Sequence, residues 1–564
     1  MQDKRQDHMP KGWGRQGYRH LRRNLRRGWS VLLARGPGQI EFWLIALLIG
    51  IFAGLAALVF RIGIGTLQRL AYGTDDLTMA SVAGHLPWWW VLAVPILGGL
   101  AVGLILDRFT PDGRVRAVAD VIEGAALEGG RVEIREGLAS AAASVITLGT
   151  GGSSGREGPV VHLAGVISTL VANRIKATPV TGRELLGCAV AGAVAASFNA
   201  PIAGALFAHE VVLRNFAMRA FAPIAISAVA GTVINRMRYG GVTEFQLPAG
   251  GGLGFYIELP AFMLLGLVCA LVAAGLMAGI FRAETIANRI MARTGWPRWL
   301  RPTLAGAALG MIAIPYPHII GVGYEATSAA LTGRLDLWTA VVFALVKAVA
   351  VAITLGGRMG GGVFSPALVM GALTGLAFGI LATAIAPHAS GNETLYALAG
   401  MGAVGAAVLG APISTAMIVF ELTGDWQTGI AVMTTISLST ALASRMVERS
   451  FFLTQLKRRG VHIAEGPQVW LPRQMRVTAV MREIGSKTAP AADLLRNMVA
   501  DGQMVADQTT LGEALSLFDR TGAAFYPIVR QDGASPEILG AVYHIDALRG
   551  LATALGAVAA EQHG

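Results

Sequence analysis

The chain has 564 residues, of which 54% are hydrophobic and only 14% charged, against roughly 25% charged residues in an average soluble domain. Its 72 glycines would weaken soluble helices but suit membrane helices that pack closely. This balance excludes an ordinary soluble domain and describes a polytopic membrane protein, whose net charge of +11 places its tails against anionic lipid.

Taken from the N-terminus, the first 36 residues carry ten Lys/Arg and two Asp. The first long apolar run begins near Ile40, too late and too long for a secretory signal peptide. The positive-inside rule puts this arm in the cytoplasm. A basic juxtamembrane arm serves topology before nucleic acid, so no nucleic-acid partner is expected. The runs Phe42–Phe60, Trp88–Leu106 and Leu259–Phe281 approach or reach the ~20 residues that span a bilayer core. Cys188 and Cys269 both fall in apolar segments and offer neither a disulfide framework nor a metal-ligand spacing.

Gly149–Pro159 reads "GTGGSSGREGP", with an Arg156–Glu157 pair inside an apolar chain. A phosphate-binding loop would need Gly-Lys-Ser/Thr, which is absent. A serine protease would use Ser154 with a histidine base from another helix. A zinc protease would need His-Glu-x-x-His, and His209-Glu210-Val211-Val212-Leu213 lacks the second histidine.

An internal repeat favours another reading. Ile146-Thr147-Leu148-Gly149 recurs as Ile353-Thr354-Leu355-Gly356, and at the same offset Gly155 meets Gly362 and Pro159 meets Pro366. Ala200-Pro201-Ile202 recurs as Ala411-Pro412-Ile413, which also brings Glu210 onto Glu421. Glycine- and proline-interrupted segments at corresponding places in two halves point to a transporter-type site. Non-helical backbone at membrane depth must line a cavity or be buried in protein. Pro159 and Pro366 fit the first turn of a helix, so each loop is expected to end at a helix N-terminus. Free N–H groups and the positive end of the helix dipole then favour an anion. Glu157, at one tip, is a built-in anion for the same place.

These residues resemble the CLC family of chloride channels and proton-coupled chloride exchangers, over roughly residues 40–460. "GREGP" (Gly155–Pro159), "GGVFSPAL" (Gly361–Leu368) and "FNAPIAGALFAHE" (Phe198–Glu210) carry the resemblance. It implies an all-α membrane domain of tilted, partly broken helices in two inverted repeats, assembled as a homodimer with one pore per subunit. It implies Glu157 as the gate and Gly158, Val363 and Phe364 as backbone contacts for chloride or another small anion. No enzymatic activity, metal or resident cofactor is expected beyond the bound anion.

Three positions depart from the family pattern. The first anion-contacting motif is replaced by "VRAVADVIEGA" (Val115–Ala125). Counting back from Glu157 puts Arg116 at the anion-coordinating place; anchoring on "EGA" puts Ala117 there. Val211 stands where exchangers carry an inner proton-transfer glutamate, leaving His209 and Glu210 as vestibule candidates. Phe452 stands in place of an anion-coordinating tyrosine, keeping the ring without the hydroxyl. The expected activity is therefore glutamate-gated anion transport that is more channel-like than proton-coupled. A non-conducting anion sensor or scaffold and an exchanger with a different proton route are the alternatives.

Beyond a membrane region spanning about 39–455, with the basic arm at 1–38 before it, the composition becomes soluble. Residues 456–564 resemble a CBS module, the cytoplasmic regulatory region of many CLC proteins. Its second repeat spans about 504–553, with a turn at Asp532-Gly533, and Val477–Gln503 looks like a shortened first one. Asp546 is the candidate for an adenine-nucleotide contact, set against a packing or dimerisation role. The expected location is a bacterial inner membrane with both termini cytoplasmic.

Overall fold

The computed structural model describes residues 38–240, 258–387, 392–447, 450–461, 463, 471–472, 474–486, 488–530 and 537–563. Most of the basic arm and the turn at Asp532-Gly533 lie outside the described residues.

The first half of the membrane region comprises α1 (Gln39–Tyr72), the short α2 (Met79–Ala83), α3 (Trp88–Phe109), α4 (Val118–Leu127), α5 (Ile134–Gly149), α6 (Glu157–Arg174), α7 (Pro179–Phe198), α8 (Pro201–Phe207) and α9 (Met218–Tyr239). The second half comprises α10 (Leu259–Thr294), α11 (Leu300–Ala313), α12 (Tyr324–Leu331), α13 (Leu337–Gly356), α14 (Phe364–Ile385), α15 (Glu393–Leu409), α16 (Pro412–Thr423), α17 (Trp426–Met446) and α18 (Phe451–Arg458). Seven helices among the described residues are long and apolar enough to cross a membrane. Large apolar side chains such as Leu44, Leu48 and Phe52 on α1 are exposed, as a lipid-facing surface requires. The interior is built from small residues: α7 and α15 bury almost continuous runs of Ala and Gly, so their backbones approach their neighbours closely.

The two halves are related by reciprocal contacts. The loops before α6 and α14 meet in an antiparallel bridge in which Gly155 and Gly362 exchange both backbone hydrogen bonds at 2.7 Å. On one side Thr147 Oγ1 accepts from the Gly360 N–H at 2.8 Å; on the other Thr354 Oγ1 accepts from the Ser153 N–H at 3.1 Å. Further out, the Glu210 carboxylate accepts from the Ile413 and Ser414 N–H groups, 2.9 and 2.7 Å. Glu421 accepts from those of Ile202 and Ala203, 3.0 and 2.8 Å. Each glutamate thus caps the proline-led N-terminus of the other half's helix, α16 and α8, where orphan N–H groups and the dipole favour negative charge. A set of swapped pairs of this kind is what a two-fold axis between inverted repeats produces.

The α/β tail holds α19 (Ala492–Ala500), α20 (Leu511–Thr521), α21 (His544–His563) and four strands, β1 (Arg482–Glu483), β2 (Val505–Ala506), β3 (Phe525–Arg530) and β4 (Glu537–Tyr543), in the order β1-β4-β3-β2. β3 pairs antiparallel with β4 and parallel with β2. A small core of Leu511, Phe518, Ile528 and Val542 closes it.

Candidate anion site

The bridge between the two glycine loops positions α6 and α14 so that both N-termini open onto one cavity of about 80 Å³. Glycine is required on both sides of the bridge. A Cβ at Gly155 would lie 2.7 Å from Glu157 Oε2, and one at Gly362 would lie 3.0 Å from the Gly158 nitrogen.

Glu157, the first residue of α6, is 4% exposed and lines this cavity with Gly158, Val363, Phe364 and Phe452. Its Oε1 accepts a hydrogen bond from Ser365 Oγ at 2.6 Å, while Oε2 is buried without a hydrogen-bond partner. Ser365 is the second residue of α14, so the carboxylate of one repeat sits at the helix N-terminus of the other. Val363 is the N-cap of α14 and Phe364 its first residue, where backbone N–H groups have no acceptor within the helix. The Phe364 ring packs against Phe198 and Phe207, with centroids 4.7 and 6.0 Å away, which fixes the start of the helix.

Arg156 keeps its Nε 4.0 Å from Glu157 Oε1 and extends beyond it. Its Nη2 donates to the Ser197 carbonyl at 3.0 Å, and it lines a second cavity of about 260 Å³ with Gln68, Asp76 and Tyr324. Of these two neighbouring residues, Glu157 thus lines the first cavity and Arg156 the second.

Several expected residues fall outside the first cavity. Arg116 is not among its lining residues, whereas Ala117, the residue of the other register, is. The physical reason is local charge: Arg116 Nη1 pairs with Asp112 at 2.9 Å and its Nε bonds Glu133, turning the guanidinium toward a neighbouring polar pocket. Neither vestibule candidate lines the cavity. Glu210 is committed to capping α16. His209 is stacked against Phe216 and Phe221, with Nδ1 2.8 Å from the Asn215 carbonyl. Val211 is buried within a π-helical turn, Ala208–Leu213, that continues α8. Ser154, the protease candidate, donates to the Gly360 carbonyl at 3.0 Å and so serves the bridge.

Sequence reasoning missed Arg114, Glu284, Arg358 and Gln455, which also line the cavity. Arg358 carried a signal, since it stands as a lone charge within the second glycine loop, "GGRMGGG".

The family described as "Voltage gated chloride channel" matches residues 98–444. A Ralstonia nicotianae protein named "Putative chloride channel protein ClcB-like" is 34% identical over 69% of this chain and 90% of its own length. The chain belongs to the CLC family. An Escherichia coli protein named "Voltage-gated ClC-type chloride channel ClcB" is 28% identical, covering 68% of this chain and 91% of that one. Among solved structures, the CLC fold appears in a slow cyanobacterial Cl−/H+ antiporter, with a TM-score of 0.66 at 20% identity over 75% of this chain and 98% of that one. A eukaryotic CLC transporter aligns with a TM-score of 0.64 at 16% identity over 90% and 97%. This CLC chain is thus a multi-pass membrane protein of an anion-transporting family.

In the tail, Asp546 Oδ2 accepts from Arg482 Nε at 2.6 Å, and the Arg482 guanidinium lies 4.0 Å from the Tyr543 ring centroid. The nucleotide candidate thus sits in an ion pair with Arg482.

Proposed function

We propose that this CLC protein passes chloride and similar small anions through the cavity between α6 and α14, with the Glu157 side chain as its gate, and that it behaves as a channel more than as a fixed-stoichiometry exchanger. The observation that carries the gate is the Glu157 carboxylate at the α14 N-terminus, bonded to Ser365 and facing the cavity that Val363 and Phe364 line. An anion drawn to those N–H groups competes with that carboxylate for one place. Channel-like behaviour is supported by Val211, a buried side chain that carries no proton, and by the commitment of Glu210 to a helix cap. The names of the relatives, which are called chloride channels, support this reading.

The 456–564 region acts in this reading as a CBS-like module serving packing or dimerisation of a homodimer, with Asp546 holding Arg482 rather than a nucleotide.

Purified full-length protein in liposomes tests the gate. Glu157→Gln removes the competing charge and should raise chloride flux or abolish its pH dependence. A variant with the parent's flux and the parent's pH response would remove Glu157 from the role.

A further inference from the structure

Lys347, on α13, is fully buried in the membrane region, and its Nζ donates to the Ile319 and Gly321 carbonyls at 3.1 and 3.0 Å. A charge at that depth needs a counter-ion. The carboxylate that faces it is Asp76, in the loop between α1 and α2. Gly321, at φ 66°, brings the two together: its carbonyl holds Lys347, and a Cβ there would collide with Asp76 Oδ1. That oxygen is buried without a hydrogen-bond partner. Asp76 also lines the second cavity beside Arg156, whose charge it faces. Arg156 in turn stands 4.0 Å from Glu157 and 5.5 Å from the ring centroid of Tyr324, the first residue of α12. One carboxylate thus sits among two buried cations, one of which adjoins Glu157. Other charges nearby are screened or committed. Arg69, Arg238 and Asp75 are exposed on the cavity wall, and Arg61 stacks on Tyr239 at 3.7 Å from its centroid. Glu325 accepts from the Ala80 and Ser81 N–H groups, and His318, beside Lys347, stacks on Phe343.

We propose that Asp76 is a positioning residue for the gate, its carboxylate balancing Arg156 and Lys347 so that Glu157 can give up its charge and its place. The proposal rests on reading Glu157 as the gate. Arg156 favours the ionised form of the carboxylate beside it, and that form keeps the anion out. An anionic Asp76 offsets this pull, and in a buried setting such charges are weakly screened. A neutral Asp76 leaves two buried cations without their counter-ion, and Glu157 then holds its charge more firmly. Burial pushes the Asp76 carboxyl up to about 6, while Arg156 and Lys347 pull it down. The offset is therefore present above that pH and lost below it, so the two carboxyl groups titrate as a coupled set.

The test is chloride flux from liposomes holding the purified full-length protein, measured at pH 7 and at pH 5. Asp76→Asn should lower flux at pH 7 by on the order of tenfold, a shift of about one unit in the proton affinity of the gate. It should match the parent at pH 5, where the parent's own Asp76 is neutral. Asp76→Glu should keep the parent's flux at both. Lys347→Gln removes a charge of the opposite sign and should raise flux at pH 7; it carries the test alone where Asp76→Asn does not fold. A role in folding only would lower flux at both pH values and would not change sign between Asp76 and Lys347. Parent flux at pH 7 in Asp76→Asn, or an equal loss at both pH values, overturns the proposal. A Glu157→Gln background separates it from the gate reading. There Asp76→Asn should change nothing, and a loss that persists sinks the coupling while the gate stands. A Glu157→Gln protein with the parent's flux and pH response removes the gate, and this proposal with it.

Discussion

Arg116 and Ala117 differ by one position and by everything that matters chemically. Arg116 spends its guanidinium on Asp112 and Glu133, while Ala117 presents its methyl group to the cavity. Arg116→Ser should therefore leave the chloride-to-nitrate selectivity of flux unchanged and lower thermal stability, by about 1–2 kcal/mol for the lost charged hydrogen bonds. Ala117→Ser should do the reverse, placing a hydroxyl donor at the cavity wall near Gly158. Chloride should then bind more tightly by on the order of fivefold, the net worth of one hydrogen bond. Chloride titrations and melting curves on the two variants check the contrast. Sequence reading brought Glu157, Val363 and Phe364 to one place because motif and repeat both point there, and added Phe452 through the family resemblance alone. It could not fix the 116/117 register, since backbone direction in a short non-helical stretch depends on partners far along the chain. Glu133, whose carboxylate helps Asp112 set that direction, stands just before α5 and carries no motif.

At the scale of elements, the swapped caps make a quantitative expectation. Glu210 and Glu421 do the same work at α16 and α8, so Glu210→Gln and Glu421→Gln should each cost about 1 kcal/mol of stability, the usual worth of a charged N-terminal cap. Similar shifts in the two melting temperatures bear this out; a loss confined to one variant would show that the halves are not equivalent there. The repeat that pairs these glutamates was legible from "API" and a glutamate at a common offset. Their crossing to the opposite half was not, because a repeat gives equivalence without saying whether equivalent parts touch themselves or each other. The antiparallel bridge answers that question, and no single segment contains it. The start of α18 at Phe451 and its run through Arg458 also carry the last membrane-region helix across the expected boundary at residue 455.

Among the described residues Glu157 and Arg156 line different cavities, and Val211 lies in a buried π-helical turn. A proton crossing such a molecule needs titratable groups in sequence, and this turn offers an alkyl side chain where one is expected. A chloride gradient imposed across liposomes should accordingly drive no uphill proton movement. Sustained proton pumping at constant stoichiometry would require a route through other carboxylates or histidines and would return the protein to the exchanger class. Composition and helix-length apolar runs settled the membrane class at this scale. The placement of the tail against the membrane region did not follow from sequence. It rests on particular contacts such as Gln474 Nε2 to the Ala126 carbonyl at 3.3 Å and Arg459 to Asp120 at 2.9 Å.

The glycine bridge has a kinetic consequence. Gly155 and Gly362 are tied by two backbone hydrogen bonds, and the threonine contacts on either side tie the same loops again. A backbone clasped at three successive points has no hinge. If Glu157 is the gate, it would leave its place by turning about its own side-chain bonds, a rotamer change on the picosecond-to-nanosecond scale once its partner releases it, not by a loop swing that takes microseconds or more. On the proposed gating role, access to the site would be timed by how long Ser365 holds the carboxylate, so the dwell of a single hydrogen bond, rather than the motion of a domain, would set the rhythm of passage.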